Sequence, residues 1–439
     1  MQLSKHNILT QIHGDDRWLL VNVLSGQADI LPANDGARLA RGEITDPDAL
    51  AAKGYLVFAD EEARRYRQAY LDFIAARDTD EVQLFYVPSY ACNFGCSYCY
   101  QDEYAPAPSG DGAAVLDAFF RYVDDTFGDR AKYVTLFGGE PLLPNPSTRR
   151  TVESVVRETA ARGVDLAIVT NGYWLESYVE TLRKGRIREV QVTLDGPQPI
   201  HDARRMLKGG GGTFSRVVDG IDACLAAGLP VNLRSVLDRD NVAAFAELAH
   251  FAIDRGWTDN PNFKTQIGRN YELHHCQTER SRLYSRLELF QDIQRLIEAD
   301  PEILRFHKPA FSISRFLFEH GELPPPLFDS CPACKTEWAF DYTGKIYSCT
   351  ATVGKQDEVL GTFWPERQLN AADVAAWEER DVLAIAQCAG CSSQLACGGG
   401  CGSVAKNTCG RIDAADCRPV PSLLSLGTSI YGREALAAS

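Results

Sequence analysis

Nowhere in the 439 residues is there a run of about twenty apolar residues, so no segment is suited to crossing a bilayer as a helix. The opening stretch MQLSKHNILTQIHGDDRWLL lacks the apolar core and small-residue cleavage site of a secretory signal, and the expected location is cytoplasmic. Basic residues are in deficit: 45 Lys and Arg stand against 59 Asp and Glu, a formal charge of -14. That balance argues against capture of nucleic acid or of an anionic membrane surface, both of which need clustered cations. Internal repeats and low-complexity tracts are also missing. At 45% hydrophobic and 24% charged residues, the composition is that of a globular chain long enough for a large core with appended domains.

Cysteine, by contrast, is abundant at 14 residues. A reducing compartment disfavours structural disulfides, so tight cysteine spacings there point to metal. The stretch ACNFGCSYCYQDEY, residues 91–104, holds Cys92, Cys96 and Cys99 with no fourth cysteine nearby. A structural zinc site closes with four ligands, and an iron-sulfur cube normally takes one thiolate per iron. Three thiolates leave one iron open.

A second cysteine set begins at Cys331 and Cys334. Nine residues separate Cys334 from Gly344, and four more lead to Cys349; Cys388, Cys391, Cys397 and Cys401 follow, with Cys409 and Cys417 beyond. Glycines in CGGGCG let the backbone wrap closely around a cluster. A zinc ribbon accounts for the CAGC pair alone and leaves the other spacings unexplained. Cys224, in GIDACLAAGLP, reads instead as a small buried hydrophobe on a helix.

Between these sets, the runs VQLFYVPS, KYVTLFGG, LAIVTNG, EVQVTLDG, VNLRSVLD and NFKTQIG alternate with helical patterns such as AAVLDAFFRYVDDTF. Six βα units imply a parallel sheet with right-handed crossovers. Polar motifs directly after the strands should converge at one end of that sheet, where ligands bind in such folds. Residues 1–80 read as a small α+β module with short strands and two helical patterns. HGELPPPLFDS breaks the chain before the cysteine-rich region. The expected division is residues 1–80, 81–325, 326–425 and a tail from 426 to 439. YELHHC, with His274, His275 and Cys276, reads as a helix entry or as a wall of the substrate cavity.

The motif CNFGCSYC matches the CxxxCxxC loop of radical SAM enzymes, and the later spacing resembles the SPASM domain of peptide maturases and anaerobic sulfatase maturases. The resemblance spans about residues 83 to 420 and includes GGEP, TNG, LDGP and HDARR. It implies an α/β fold: a partial (β/α)6 radical SAM barrel with a small α+β N-terminal module and a cysteine-rich C-terminal SPASM domain. It implies S-adenosylmethionine (SAM) as cofactor together with three 4Fe-4S clusters. Cys92, Cys96 and Cys99 would hold the first, with the amino and carboxylate groups of SAM on its open iron. One electron then cleaves SAM to methionine and a radical that takes hydrogen from the substrate.

By the same resemblance, Tyr98 packs near adenine, and Gly138, Gly139 and Glu140 meet the SAM ammonium. Thr193 and Arg205 meet ribose and carboxylate, with Arg204 as the alternative arginine, and Asn171 is a further candidate. Cys334, Cys349 and Cys401, with Cys331 as fourth ligand, would hold an inner auxiliary cluster. Cys388, Cys391, Cys397 and Cys417 would hold an outer one, Cys417 being preferred to Cys409. The implied activity is a radical SAM oxidoreductase that installs a thioether, a carbon-carbon crosslink or a related oxidative change in a ribosomally made precursor peptide. Its electron donor would be of flavodoxin or ferredoxin type. A sulfatase-type maturase forming formylglycine is one alternative, although Thr350 stands where those enzymes commonly carry aspartate. A noncatalytic iron-sulfur electron-transfer protein is the other. The stretch from LLVNVLSG to LAAKGYLVF resembles modules that grip precursor peptides, and a purely structural cap is the competing reading.

Overall fold

The six βα runs form strands β6 (Val82–Val87), β7 (Lys132–Leu136), β8 (Asp165–Thr170), β9 (Ile187–Thr193), β10 (Val231–Leu237) and β11 (Phe263–Arg269). They are preceded by β1 (Gln2–Leu3), β2 (Asn7–Gln11), β3 (Trp18–Asn22), β4 (Gln27–Leu31) and β5 (Leu56–Val57). This computed structural model describes residues 1–101, 104, 112–269 and 283–438. The YELHHC segment, with His274, His275 and Cys276, lies outside the described residues. Strands β6 to β11 pair in parallel and in sequential order, as right-handed βα repetition requires. No described helix is long and apolar enough to cross a membrane.

Alternation along each strand divides the sheet into two faces. Val82, Leu84, Val134, Leu166, Val231 and Leu233 point toward the helices and join the main core. Between them, Gln83 and Thr135 face the other side, where the Gln83 side chain donates to Thr135 Oγ1 at 2.9 Å. The helices start on their own signals: Asn145 accepts from the Thr148 N–H ahead of Pro146–Ala161, and Ser285 and Glu288 form a capping box on Arg286–Ala299.

The sheet does not end at β6. Strand β12 (Glu337–Asp341), from the cysteine-rich region, pairs in parallel with β6, and β13 (Lys345–Tyr347), β14 (Gly361–Thr362) and β15 (Gln368–Leu369) extend it antiparallel to ten strands. The expected division near residue 325 is therefore bridged by continuous backbone hydrogen bonding. The expected tail is bridged too, because helix Val420–Tyr431 crosses residue 426 and buries Leu423, Leu424, Leu426 and Ile430.

At the N-terminus, β2, β3 and β4 form an antiparallel sheet, and β1 pairs with β5. Its inner residues Ile8, Leu19 and Val21 share a core with Phe328, Leu395 and Leu424. Helix Ala59–Thr79 brings Tyr66, Tyr70 and Phe73 around the Phe328 ring, with centroids at 5.1, 5.2 and 5.6 Å. Tyr66 and Tyr70 also donate to Gln394 and Asp381 at 2.9 and 2.8 Å. The module is thus packed onto the cysteine-rich region.

Three buried histidines tie this packing to pH. Burial, followed by Lys5, pulls His6 down to about 4; burial and then Arg205 pull His201 to about 3; burial and then Arg315 pull His307 to about 4. Each is neutral in the fold and gains a proton on unfolding, so the unfolded chain binds more protons below the ordinary value of 6.5. Their contribution is complete above that value and is lost as the pH falls toward 4. The urea midpoint should therefore drop between pH 6.5 and 4, and His6→Phe, which keeps a ring on Tyr66, should flatten the drop. An unchanged profile in that variant would contradict the assignment.

Candidate active site

The loop after β6 and the ends of β7 to β11 enclose a cavity of ≈ 230 Å³. Cys92, Cys96, Cys99, Tyr98, Gly138, Gly139, Asn171, Thr193 and Arg205 all line it, so sequence candidates scattered over more than a hundred positions meet in one place. Gly138 and Gly139 have φ of 91° and 46°. A Cβ on Gly139 would lie 2.4 Å from Ala91 O, so only glycine allows this approach to the cysteine loop.

Glu140 differs from expectation. Its buried carboxylate accepts from Leu142 N at 2.8 Å, Thr170 Oγ1 at 2.6 Å and Asn171 N at 2.6 Å, and it does not line the cavity. It therefore pins the TNG turn to the end of β7, and the Gly138–Gly139 backbone forms the wall instead. Asn171, fixed by that contact, donates to Asn93 Oδ1 at 2.8 Å and approaches Cys92 Sγ at 3.7 Å.

The two arginines separate clearly. Arg204 is neutralised in the interior: Nη1 reaches the two Asp238 oxygens at 3.0 and 2.9 Å, and Nε approaches Asp195 at 3.4 Å. Arg205 faces the cavity and donates to Tyr98 Oη at 2.6 Å, while its buried Nε has no partner. Tyr98 donates in turn to Asp195 Oδ2 at 2.6 Å. Asp195, unremarked in the sequence, is the hub of this network because it also accepts from Val236 N at 2.9 Å. Sequence reasoning also missed Gln101, Gln191, Arg234 and Arg269 in the lining. Arg234 had a signal, being the one charged residue in the apolar run of β10.

The cysteines assemble in three groups. Burial first, then Glu140, with smaller contributions from Cys96 and Cys99, pushes the Cys92 thiol up to about 12. Burial, Glu337, Cys331 and Cys401 do the same to Cys349, also to about 12, and Cys334 is raised by burial and by neighbouring Cys349. Burial, Cys397, Cys391 and Cys417 raise Cys388 to about 11. Cys417, rather than Cys409, is thus a charge neighbour of Cys388. Cys224 is buried in the main core, and burial alone raises its thiol, to about 12. Thiols held protonated by burial must give up protons when metal binds. Among the described residues no three His, Cys, Asp or Glu converge on a single metal ion. A four-iron cube, with each thiolate on its own iron, holds its ligands further apart and fits these groups better.

Comparison with known proteins follows the same geometry. Residues 86–252 match the family model described as Radical SAM superfamily. Residues 86–252 are a radical SAM domain. The GTP 3',8-cyclase of Rhizobium meliloti (strain 1021) is 33% identical over 171 residues, 38% of this chain and 46% of that protein. That of Nautilia profundicola is 28% identical over 170 residues, covering 38% and 51%. The chain thus spans about half the length of the curated relatives it matches. In fold, native anSMEcpe with bound AdoMet covers 81% of this chain and 98% of its own, with a TM-score of 0.58 and 15% identity. Streptococcus suis SuiB bound to precursor peptide SuiA covers 92% and 96%, with a TM-score of 0.52 and 13% identity. The radical SAM domain therefore sits in a chain whose overall fold is like that of anSMEcpe and SuiB.

Proposed function

We propose that this chain is a radical SAM maturase that oxidatively modifies, by crosslinking or a related change, a ribosomally made precursor peptide. The observation that carries the reading is the extent of the fold likeness. The match to SuiB bound to its precursor peptide covers 92% of this chain, leaving a remainder smaller than either residues 1–80 or residues 326–425. The sequence likeness to GTP 3',8-cyclases covers less, 38% of this chain for the Rhizobium meliloti protein and 59% for one from Rhizobium etli. In this reading Cys331, Cys334, Cys349 and Cys401 hold an inner 4Fe-4S cluster, Cys388, Cys391, Cys397 and Cys417 hold an outer one, and a flavodoxin- or ferredoxin-type protein delivers electrons to a cytoplasmic enzyme.

The residues lining the cavity suit SAM on the three-cysteine cluster, since an unpartnered Arg205 Nε is left for a carboxylate and Gly138 and Gly139 present backbone to the cavity beside Cys92, Cys96 and Cys99. When bound, that pair supplies a radical able to remove hydrogen from carbon. The protein's own tasks are to bind, orient and exclude water. Arg205, braced by Tyr98 and Asp195, offers a guanidinium already fixed in place. Phe94, Phe137 and Tyr100 keep the walls apolar or aromatic.

The experiment is coexpression with each short open reading frame that sequencing finds beside the gene, followed by mass spectrometry of the encoded peptides. A loss of one hydrogen pair per modified site is expected. Consumption of GTP in place of the peptide would overturn the reading.

One observation favours the sulfatase-type alternative. Glu337 accepts from Thr350 N at 2.7 Å and from Thr350 Oγ1 at 3.0 Å, so a carboxylate stands beside the position where those enzymes have aspartate. Wild-type protein that converts a sulfatase-derived peptide to formylglycine would select this alternative. On the preferred reading neither the wild type nor Thr350→Asp does so. The N-terminal module also bears on substrate, but its shared core with Phe328 makes complete deletion a test of stability. Removing residues 1–75 should lower solubility and strip iron from the neighbouring outer site. A soluble deletion variant with full iron would show that the module is separable.

A further inference from the structure

Arg234 projects from β10 into the cavity beside Val236, while Leu233 and Leu237 on the other face enter the core. Among the described residues it has no ion-pair partner, and its buried Nε makes no hydrogen bond. The adjacent strand is built around it: a Cβ on Gly268 of β11 would stand 2.9 Å from Arg234 Nε and 3.0 Å from Nη2. The guanidinium therefore lies directly over Gly268, where any side chain would push it aside. On its other side, β9 pairs Thr193 with Arg234. Across the cavity its charge is felt at Tyr100, next to Cys99, so the cation faces the loop of the SAM-binding cluster.

An unpaired guanidinium in a partly dry cavity is costly unless a ligand brings the anion. The other cations are accounted for: Arg204 by Asp238 and Asp195, Arg269 by the Tyr284 carbonyl, and Arg205, which Tyr98 holds in place, by the SAM carboxylate assigned to it above. One available guanidinium matches one carboxylate, through two parallel hydrogen bonds. A triphosphate would call for several free cations.

We propose that Arg234 seats an Asp or Glu side chain of the peptide substrate beside the carbon that gives up its hydrogen. This rests on the peptide-maturase reading above, with Arg205 left for the SAM carboxylate. The site then selects an acidic residue at or next to the modified position, and Gly268 is a positioning residue that keeps the guanidinium in place.

The test uses the anaerobically reconstituted full chain with SAM and dithionite. The probes are carbon-deuterated N-acetylglutamate α-amide, its glutamine counterpart, and deuterated GTP. Deuterium appearing in 5'-deoxyadenosine reports which probe lies within reach of the radical. A charge-assisted pair should favour the glutamate probe over the glutamine probe by about tenfold. Arg234→Gln should erase that preference while iron content and SAM affinity by equilibrium dialysis stay unchanged. Gly268→Ala, which displaces the guanidinium without removing it, should weaken the preference. Equal transfer from both amino-acid probes in the wild type, or loss of SAM affinity in Arg234→Gln, would overturn the carboxylate seat and leave the peptide reading standing. Transfer from GTP would overturn both.

Discussion

Cys96→Ala protein should form no 5'-deoxyadenosine from SAM under dithionite, while retaining about eight irons per chain in the two proposed auxiliary sites. Among the described residues Cys96 is one of three thiols in its group, and all three line the same cavity as Arg205 and the Gly138–Gly139 wall. Two thiolates cannot hold a cube whose fourth iron is already open, so the loss is expected to be complete. The other groups lie on different elements and keep their own ligands. Iron analysis and quantitation of 5'-deoxyadenosine on one preparation check both halves of the expectation. SAM cleavage at the wild-type rate would reject the cluster assignment.

Arg380→Ala should strip iron from both auxiliary sites and cost about 3–5 kcal/mol of stability, the range for breaking a buried charge arrangement from one side. The Arg380 side chain is completely buried and donates to four carbonyls, those of Ile412 at 2.6 Å, Gly399 and Gly400 at 3.0 Å, and Ala414 at 3.1 Å. It also faces Asp329, which pairs with buried Lys335 at 2.6 Å. These contacts fold the CGGGCG loop, whose Gly400 has a φ of 72° and no room for a Cβ, since Asp416 O would lie 2.0 Å away. Arg380→Lys should fail in the same way, because an ammonium cannot reproduce a fork that serves four acceptors. The three-cysteine loop, which follows β6 and makes none of the Arg380 contacts, should keep its cluster. Denaturant titration with iron analysis measures both effects, and an Arg380→Ala protein with about twelve irons would contradict this account of the loop.

The barrel strands were legible because each is a short β-branched run whose alternation is local. The site was legible to the same depth: cysteine spacing and the motifs at strand ends require no knowledge of distant contacts. Reading failed where a partner comes from far along the chain. Nothing local in EWAFD reveals that β12 will pair with β6, more than two hundred residues earlier, and so the division near residue 325 looked sharper than it is. The sequence left open whether the N-terminal module grips a peptide or caps the fold, because its hydrophobic residues show which face is buried but not that Phe328 fills it. Glu140 and Arg204 show a second limit. Adjacent or motif-bearing charges look equivalent in sequence, and only the fold decides that Glu140 faces Thr170 and Arg204 faces Asp238, leaving Arg205 and Arg234 to face the cavity.

The most direct measurement is the iron and inorganic sulfide content of the wild-type chain after anaerobic reconstitution. Three cysteine groups, each suited to a four-iron cube, predict about twelve irons and as many sulfides per chain, with no zinc retained. About four irons accompanied by tightly bound zinc would mean that the cysteines of residues 331–417 form zinc sites, and the account of an enzyme with two auxiliary clusters would be wrong.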